Sequence, residues 1–260
     1  MALVGSSARV AAQAADEQGG TASLCMDGDQ MRSGPYVYEN NQWGKAKARG
    51  PFSQCLLRRT VDGVPQHGWT WDWPGFDASV FAYPEVIYGW KPWSGGRSTD
   101  PKLPMKVTDI QTMKMIFDLD LQASGGYNLA PETWLTSTGE ASARPAPDRI
   151  TTEVMFWLDH SRTQPAGEFL EKLTVDGCDY QLWKLDNMGD TGNGKGWTYY
   201  AFMSATAQNK GTLDIRKFVQ YLLSKNYIAP ENFVASIEFG NEVAGGKGTA
   251  WLKEYSVVVE

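Results

Sequence analysis

A glutamate interrupts a stretch of the chain that is otherwise suited to pack in a β-sheet. The stretch is ITTEVMFWLDH, residues 150–160, and the glutamate is Glu153. Alternate residues of a strand share one face, so the pattern predicts Glu153 beside Met155 and Trp157, with an apolar set on the opposite face. A carboxylate, a thioether and an indole are an unusual combination for a face open to bulk solvent. They suit the wall of a groove that binds a ligand.

A second glutamate, Glu242, lies near the C-terminus in the stretch SIEFGNEVAGG. Alternation through residues 233–242 predicts an apolar face with Ile237 and Phe239, and an opposite face that holds Val234 together with Glu242. The glycines around Glu242 allow other groups to approach the backbone closely. Both glutamates are therefore expected on the polar faces of strands.

Two carboxyl groups on one curved sheet are the minimum set of groups for cleaving a glycosidic bond. One must be ionised to attack the anomeric carbon, and the other must be protonated to assist the leaving oxygen. The two carboxyls lie about 5–5.5 Å apart in enzymes that retain the anomeric configuration, and farther apart in enzymes that invert it. The alternative is that both side chains are simply solvated, since glutamate is common on exposed faces.

The pattern of the whole chain predicts many strands and a single helix. Alternating runs between Gly, Pro, Asn and Asp clusters recur about every 10–15 residues, which is typical of an antiparallel sandwich or barrel. In TLDIRKFVQYLLSKNYI, by contrast, apolar residues recur at helical spacing. No internal repeat or interdomain linker is evident, so residues 21–260 are expected to form one domain.

The first 20 residues, MALVGSSARVAAQAADEQGG, contain an AQA sequence that resembles a signal-peptide cleavage site. They lack a basic start, and their apolar run is interrupted by Ser6, Ser7 and Arg9. We interpret residues 1–20 as a signal-peptide remnant or a disordered lead-in.

Composition argues against several classes of function. The net charge is −6 and no block of Lys and Arg stands out, so nucleic acid is not an expected partner. No apolar run reaches the ~18 residues of a membrane span. The two histidines are isolated and no cluster has metal-ligand spacing, so neither a metal nor a cofactor is expected. The 11 Trp, 11 Tyr and 10 Phe suit either sugar binding or the packing of a large sandwich.

The roles of several tryptophans and cysteines stay open at this level. The tryptophans of GWTWDW share one face, for which packing is favoured over sugar binding. Trp90 and Trp93, in GWKPW, lie beside a predicted loop of the groove, where binding and packing are equally favoured. Cys25 and Cys55 lie in segments that could pair as adjacent strands, and the odd count leaves Cys178 over.

Four strings together resemble glycoside hydrolase family 12. They are YENNQWG (38–44), FAYPEVIYGWKPW (81–93), TTEVMFWLD (151–159) and SIEFGNEVAGG (236–246), in the order of the family. Members of this family are endo-acting β-1,4-glucanases, including xyloglucanases. The resemblance implies an all-β fold, a β-jelly-roll sandwich of two curved antiparallel sheets with a single α-helix packed on the convex side. This agrees with the strand pattern.

The resemblance also implies roles for individual residues in a retaining double displacement. Glu153 matches the nucleophile, Glu242 the general acid/base, and Met155 the methionine beside the nucleophile. Asn41 and Trp43 resemble the platform that stacks and orients a glucosyl ring on the glycone side.

Two tryptophans are candidate substrate-binding residues from the pattern itself, Trp157 because it shares the face of Glu153 and Trp90 because it lies beside a predicted loop of the groove. By the resemblance, Pro165 falls where a cord of the family crosses the cleft. Cys25 and Cys55 match an N-terminal disulfide, which implies secretion.

Two positions depart from the pattern of the family. Beside the nucleophile the family usually has Asp on the neighbouring strand, where YNLAPETW places Glu132, one methylene longer. Glu132 can still hydrogen-bond Glu153 and share a proton with it, or Asn128 takes part instead. After the acid/base the family often has Pro-Phe, where this chain has Val243-Ala244, so the contact on the aglycone side is not carried over.

The leading hypothesis is a secreted, monomeric, retaining endo-β-1,4-glucanase. Its substrate would be a polysaccharide, with xyloglucan slightly favoured because YGWKPW resembles bacterial members that act on xyloglucan. One alternative is a non-catalytic carbohydrate-binding sandwich, and another is a xylanase on a related jelly roll.

Overall fold

The fold contains seventeen β-strands and one α-helix within residues 21–75, 79–192 and 194–260, the ranges that the computed structural model describes. The predicted lead-in, residues 1–20, lies outside them. In chain order the strands are β1 (Ala22–Leu24), β2 (Gln30–Ser33), β3 (Tyr36–Glu39), β4 (Ser53–Val61), β5 (Val64–Trp73), β6 (Glu85–Gly89), β7 (Met105–Lys106), β8 (Met113–Thr136), β9 (Ile150–Trp157), β10 (Asp159–Ser161), β11 (Glu168–Val175), β12 (Cys178–Met188), β13 (Trp197–Ser204), β14 (Lys210–Asp214), β15 (Phe233–Val234), β16 (Ser236–Gly240) and β17 (Val243–Val259). The helix, α1, spans Ile215–Ser224.

The strands form two sheets, and the long strand β8 belongs to both. One sheet has the order β1–β4–β5–β17–β8–β14 and uses residues 113–129 of β8. The other has the order β2–β3–β6–β16–β8–β9–β13–β12–β11 and uses residues 130–136 of β8. We call this second sheet the Glu153 sheet. The predicted all-β jelly-roll sandwich with a single helix is confirmed.

One neighbouring pair, β9 and β13, runs parallel, which the strand pattern did not predict. The chain leaves β9 through β10 and returns at β11, whose first residue, Glu168, lies level with Val154 of β9. Residues 162–167 must therefore pass over two strands, β13 and β12, to reach β11 at the edge of the sheet. They cross on the face that carries Glu153, because Ala166 packs against the apolar cluster around Met155.

Strand β9 separates two faces as its alternation predicts. Phe156 stacks on Phe202 of β13 with 5.8 Å between ring centroids, and Phe218 of α1 packs edge-on against both at 5.0 and 4.8 Å. The helix therefore lies on the side of the sheet opposite Glu153, as expected. A helix of ten residues is marginal alone, so this packing supplies most of its stability.

The predicted alternation before the second glutamate is wrong at Val234. Val234 pairs with Leu135, whereas Glu238 pairs with Glu132, so the register slips by one residue between β15 and β16. A slip of one residue turns a side chain to the other face. Val234 is consequently buried in the apolar core instead of sharing a face with the glutamates.

Other sequence-based expectations concern the core and the chain ends. Trp69, Trp71 and Trp73 are buried in the main apolar core, as favoured. Cys25 and Cys55 form the predicted disulfide, which joins the end of β1 to β4. Among the described residues, no helix is long and apolar enough to cross a membrane.

Candidate active site

The two candidate glutamates meet around one short part of β8. Residues 127–134 lie between β9, which carries Glu153, and β16, which leads to Glu242. Glu153 is paired across the sheet with Trp134, and the side chain of Asn128 contacts Glu242. A single strand therefore sets the relative position of both carboxyls.

Glu153 is 5% exposed and is held by one strong donor. Its Oε2 accepts a hydrogen bond from the indole Nε1 of Trp197 at 2.6 Å. Trp197, Trp93 and Trp134 pack edge to face on one another, with centroids 5.3, 5.4 and 5.5 Å apart. The ring of Trp197 also covers Gly189, where an added Cβ would lie 2.1 Å from the ring. A donor fixed in this way stabilises the ionised form of Glu153.

Glu242 lies between β16 and β17 and is held by side-chain amides. Asn128 donates from Nδ2 to Glu242 Oε2, and its Oδ1 accepts the backbone N–H of Glu242 at 3.0 Å. Asn241 supports this arrangement: its Nδ2 donates to the Asn128 carbonyl at 2.8 Å, and its Oδ1 accepts from Trp69 Nε1 at 2.8 Å. The carboxyl is thus tied to the core through Asn128 and Asn241.

The pKa values of both carboxyls are raised, mainly by burial. Burial and then the charge of Glu242 raise the pKa of Glu153 to about 8, while the Trp197 N–H acts in the opposite direction. Burial raises the pKa of Glu242 to about 7, opposed by the Asn128 N–H. Between these two pH values the pair holds one proton, and the higher pKa of Glu153 places it mainly on Glu153. One protonated and one ionised carboxyl is the state that glycoside cleavage requires.

Glu132 has a different partner from the one expected. Its Oε1 accepts the indole N–H of Trp134 at 3.0 Å, and no hydrogen bond joins it to Glu153 in the described part of the chain. Burial first, and then the neighbouring charges of Glu238 and Glu153, raise the pKa of Glu132 well above its usual range. The alternative residue, Asn128, holds the acid/base candidate instead of the nucleophile candidate.

The predicted platform residues, Asn41 and Trp43, lie together at the surface. Trp43 is 56% exposed, and Lys47 Nζ lies 4.6 Å from the centroid of its ring. Asn41 Oδ1 accepts the backbone N–H of Trp43 at 3.2 Å, and its Nδ2 donates to Glu85 Oε1 at 3.0 Å. An exposed indole on a fixed backbone is suited to stack on a sugar ring.

Four of the predicted substrate-binding residues are buried: Met155, Trp157, Trp90 and Pro165. Met155 and Trp157 share the face of Glu153, as predicted, and form an apolar floor beneath it. Trp90 has no exposed surface, and its indole N–H donates to the carbonyl of Ser142 at 3.2 Å. This burial contradicts the prediction that Trp90 contacts the substrate, because its ring has no open face. Its neighbour Trp93 is partly exposed and packs beside Trp197.

Pro165 lies in the segment 162–167, which crosses the Glu153 face. The segment is held at Thr163, whose Oγ1 donates to the Tyr127 carbonyl at 2.8 Å, and at Ala166, which packs on the apolar floor. Pro165 itself is buried, so it shapes the path of the segment.

Sequence reasoning missed Trp197 and a buried lysine, Lys91. Trp197 follows the glycine-rich string GDTGNGKG, which reads only as a turn of hairpin type. The only signal that connects Trp197 with Glu153 is the register that places Tyr199 beside Glu153, and this register is the unpredicted parallel pair. Nothing in YGWKPW indicates that Lys91 is buried.

Comparison with known proteins places the chain in one family. The model of glycosyl hydrolase family 12 matches residues 34–260. Endoglucanase S from Pectobacterium parmentieri is 31% identical over 242 residues, which cover 92% of this chain and 88% of that protein. A family 12 xyloglucanase from Bacillus licheniformis superposes with a TM-score of 0.81 at 30% identity, and the match covers 92% of this chain and 100% of that one. Xyloglucan-specific endo-beta-1,4-glucanase A from Aspergillus aculeatus is 22% identical over 245 residues, 91% of each chain. A match that runs through both glutamate strands, in a chain with this jelly roll, shows that the protein is a glycoside hydrolase and belongs to glycosyl hydrolase family 12.

Proposed function

We propose that this glycoside hydrolase is an endo-β-1,4-glucanase that retains the anomeric configuration, with Glu153 as nucleophile and Glu242 as general acid/base. The observation that carries the proposal is the pair of carboxyls with raised pKa values, each held by its own donor. The productive form has the proton on Glu242 and the charge on Glu153, which is the reverse of the order of the two pKa values, so only a minor fraction of the singly protonated enzyme is productive. The short Trp197 N–H bond favours that charge.

In the first step Glu153 attacks the anomeric carbon while Glu242 gives its proton to the leaving glycosidic oxygen. The glycosidic bond breaks, and the glycone becomes an ester of Glu153. The strand pairing of β9 and the rigid tryptophan trio hold the attacking oxygen in place, which lowers the entropy that must be lost in the transition state.

In the second step Glu242 acts as a base. It takes a proton from water, the water oxygen attacks the same carbon, and Glu153 leaves as a carboxylate. Two inversions restore the original configuration. Glu132 is proposed to stay protonated, because an additional charge next to Glu153 would oppose its ionisation.

The substrate is proposed to be a β-1,4-glucan, with xyloglucan favoured. Endoglucanase S and the Bacillus licheniformis xyloglucanase, by their names, support glucan cleavage and xyloglucan cleavage respectively. Trp43 and Trp93 provide partly exposed indole faces for sugar rings. The disulfide supports secretion. We propose further that the protein acts as a monomer, which size-exclusion chromatography tests.

Initial rates on xyloglucan, carboxymethylcellulose and xylan, combined with proton NMR of the first product, test this function. We expect new reducing ends from the two glucans and the β-anomer as the first product. Appearance of the α-anomer first would contradict retention. Binding without new reducing ends would favour the non-catalytic alternative, and a preference for xylan would favour a xylanase.

A further inference from the structure

A buried lysine lies behind the predicted sugar platform. Lys91 follows β6, and its Nζ contacts Glu85 Oε1 and lies 3.4 Å from Glu39 Oε1 and 3.5 Å from Glu238 Oε2. These three carboxyls belong to β6, β3 and β16, three neighbouring strands of the Glu153 sheet. One ammonium group therefore holds three strands together beneath the surface.

Glu85 connects this buried group with the surface. Its side chain has no exposed area, yet its Oε1 accepts from Lys91 Nζ and, at 3.0 Å, from Asn41 Nδ2. Asn41 Oδ1 in turn accepts the backbone N–H of Trp43 at 3.2 Å. A continuous chain of hydrogen bonds thus runs from the ammonium group to the backbone that carries the exposed indole.

The second carboxyl oxygen of Glu85, Oε2, lies in the interior, as does Oε2 of Glu238. Glu85 Oε2 and Glu238 Oε2 receive no N–H or O–H hydrogen bond within the described residues, and both are buried. A proton held between the two carboxyls satisfies both oxygens, and burial raises the pKa of Glu85 well above its usual range. Ser236 Oγ fixes the other carboxyl by donating to Glu238 Oε1 at 2.6 Å.

A metal site is the competing interpretation of this cluster. Glu85, Glu132 and Glu238 each place a carboxyl oxygen within 4.8 Å of the others. Lys91, however, already brings a positive charge against two of them. The structure thus favours positioning over metal binding for this cluster.

We infer that Glu85 is a positioning residue for the glycone end of the cleft. Its Oε1, held by Lys91, orients Asn41 and through Asn41 the indole of Trp43. The property that matters is the reach of the Glu85 oxygen and not its charge. This inference rests on the proposed glucanase function and assigns a role to a residue that never touches the sugar.

Two substitutions of Glu85 separate the reach of the side chain from its acid group. Glu85→Asp keeps a carboxyl group but draws its oxygen back from both Asn41 and Lys91, whereas Glu85→Gln keeps the reach and replaces the carboxyl with a neutral amide. For Glu85→Asp we expect KM for soluble xyloglucan to rise about tenfold with kcat little changed, since tenfold corresponds to about 1.4 kcal/mol, close to one hydrogen bond. Because glutamine keeps the reach to Asn41, the KM of Glu85→Gln should stay within about twofold of the wild-type value.

A double-mutant cycle shows whether the effect passes through Asn41. If it does, Glu85→Asp combined with Asn41→Ala has the same KM as Asn41→Ala alone. Additive effects, or a larger effect from Glu85→Gln than from Glu85→Asp, would overturn the inference. Circular dichroism checks that each variant is folded at the assay temperature, and both Glu85 variants conserve size closely enough for this comparison.

Failure of the proposed function gives a different result from failure of the positioning role of Glu85. A wild-type protein that produces no reducing ends from glucans would contradict the function itself. In that case isothermal titration calorimetry measures the Kd of cellotetraose for wild type and for Glu85→Asp. An unchanged Kd in Glu85→Asp overturns the positioning role. Active wild type with an unchanged KM in Glu85→Asp overturns the positioning role alone.

Discussion

The surroundings of Glu153 and Glu242 differ, although both residues are glutamates with raised pKa values. Glu153 lies within β9 between two paired strands, and its donor is an indole locked among other rings. Glu242 lies between strands, is more exposed, and depends on the amide of Asn128 for its position. A proposed nucleophile needs a fixed attacking oxygen, whereas a proposed acid/base must face the leaving oxygen and later water. The two supports suit these two tasks.

Removing either carboxyl should have the largest effect on activity. Glu153→Ala and Glu242→Ala are each expected to lower kcat on xyloglucan by roughly 10²–10⁴-fold or more, because each removes a group that acts in the transition state. Azide separates the two roles with an aryl glucoside that has a good leaving group. We expect a β-glycosyl azide from Glu242→Ala and an α-glycosyl azide from Glu153→Ala. The reverse products would exchange the two assignments.

Loss of the amide support should be the next largest effect. Asn128→Ala removes the contact that positions Glu242, and kcat is expected to fall about 10²-fold, as small misplacements do. The Asn128 N–H lowers the pKa of Glu242, so its loss raises that pKa above about 7. The pH optimum of kcat/KM lies midway between the two pKa values and should therefore move to higher pH. An unchanged optimum would show that Asn128 does not act on Glu242.

Loss of the indole donor should act on the other carboxyl. Trp197→Phe removes the N–H that lowers the pKa of Glu153, so that pKa should rise above about 8, the pH optimum of kcat/KM should move to higher pH, and the maximum should fall because less enzyme carries the charge on Glu153. The rise in the pKa is expected to be about one unit, the value of a hydrogen bond to a charged group. Trp183→Phe is the matched control, because the Trp183 N–H has no partner among the described residues. Equal shifts in both variants would refute a specific role for Trp197.

The smallest effect is expected on stability, and it has the opposite sign. Both folded-state pKa values lie above the ordinary value of 4.5, so the folded protein holds more protons than the unfolded chain, and the free energy of unfolding falls as pH rises from about 4.5 to 8. A glutamine at either position is neutral at every pH, so it does not contribute to this fall in the free energy of unfolding. Urea unfolding at pH 8 should show Glu153→Gln more stable than wild type by about 1–3 kcal/mol, and Glu242→Gln by less. At pH 5 both differences should shrink.

The exposed Glu168, at the start of β11, provides the control for this measurement. Glu168→Gln should leave the pH dependence of unfolding unchanged. If Glu153→Gln destabilises the protein equally at pH 5 and pH 8, the raised pKa of Glu153 is wrong.

Much of the fold was predictable because its signals are local. Alternation in ITTEVMFWLDH separates Glu153 from Phe156, and the structure places them on opposite faces as predicted. Helical spacing identified α1, and cysteine placement agreed with the disulfide. Alternation failed where a single residue slips, as at Val234, because a slip in register has no signature in the hydrophobic pattern.

The partners of the candidate site residues were much less predictable. Trp90 and Trp93 stand three positions apart in GWKPW, and only burial tells that the first belongs to the core and the second to the site. Glu132 lies beside β9, the strand of Glu153, as predicted, yet its hydrogen bond goes to Trp134. A difference of one methylene in a crowded sheet changes which neighbour an oxygen reaches.

The sequence by itself determined the strand parity of Glu153, the single helix and the resemblance to a family of glucan hydrolases, since each depends on residues close together in the chain. Only the tertiary structure decided that Trp197 donates to Glu153, that Asn128 holds Glu242, and that Lys91 lies among buried carboxyls. These contacts join segments 44, 114 and 52 residues apart. They depend on strand register, on the parallel pair and on burial, and periodicity along one strand carries no information about any of these.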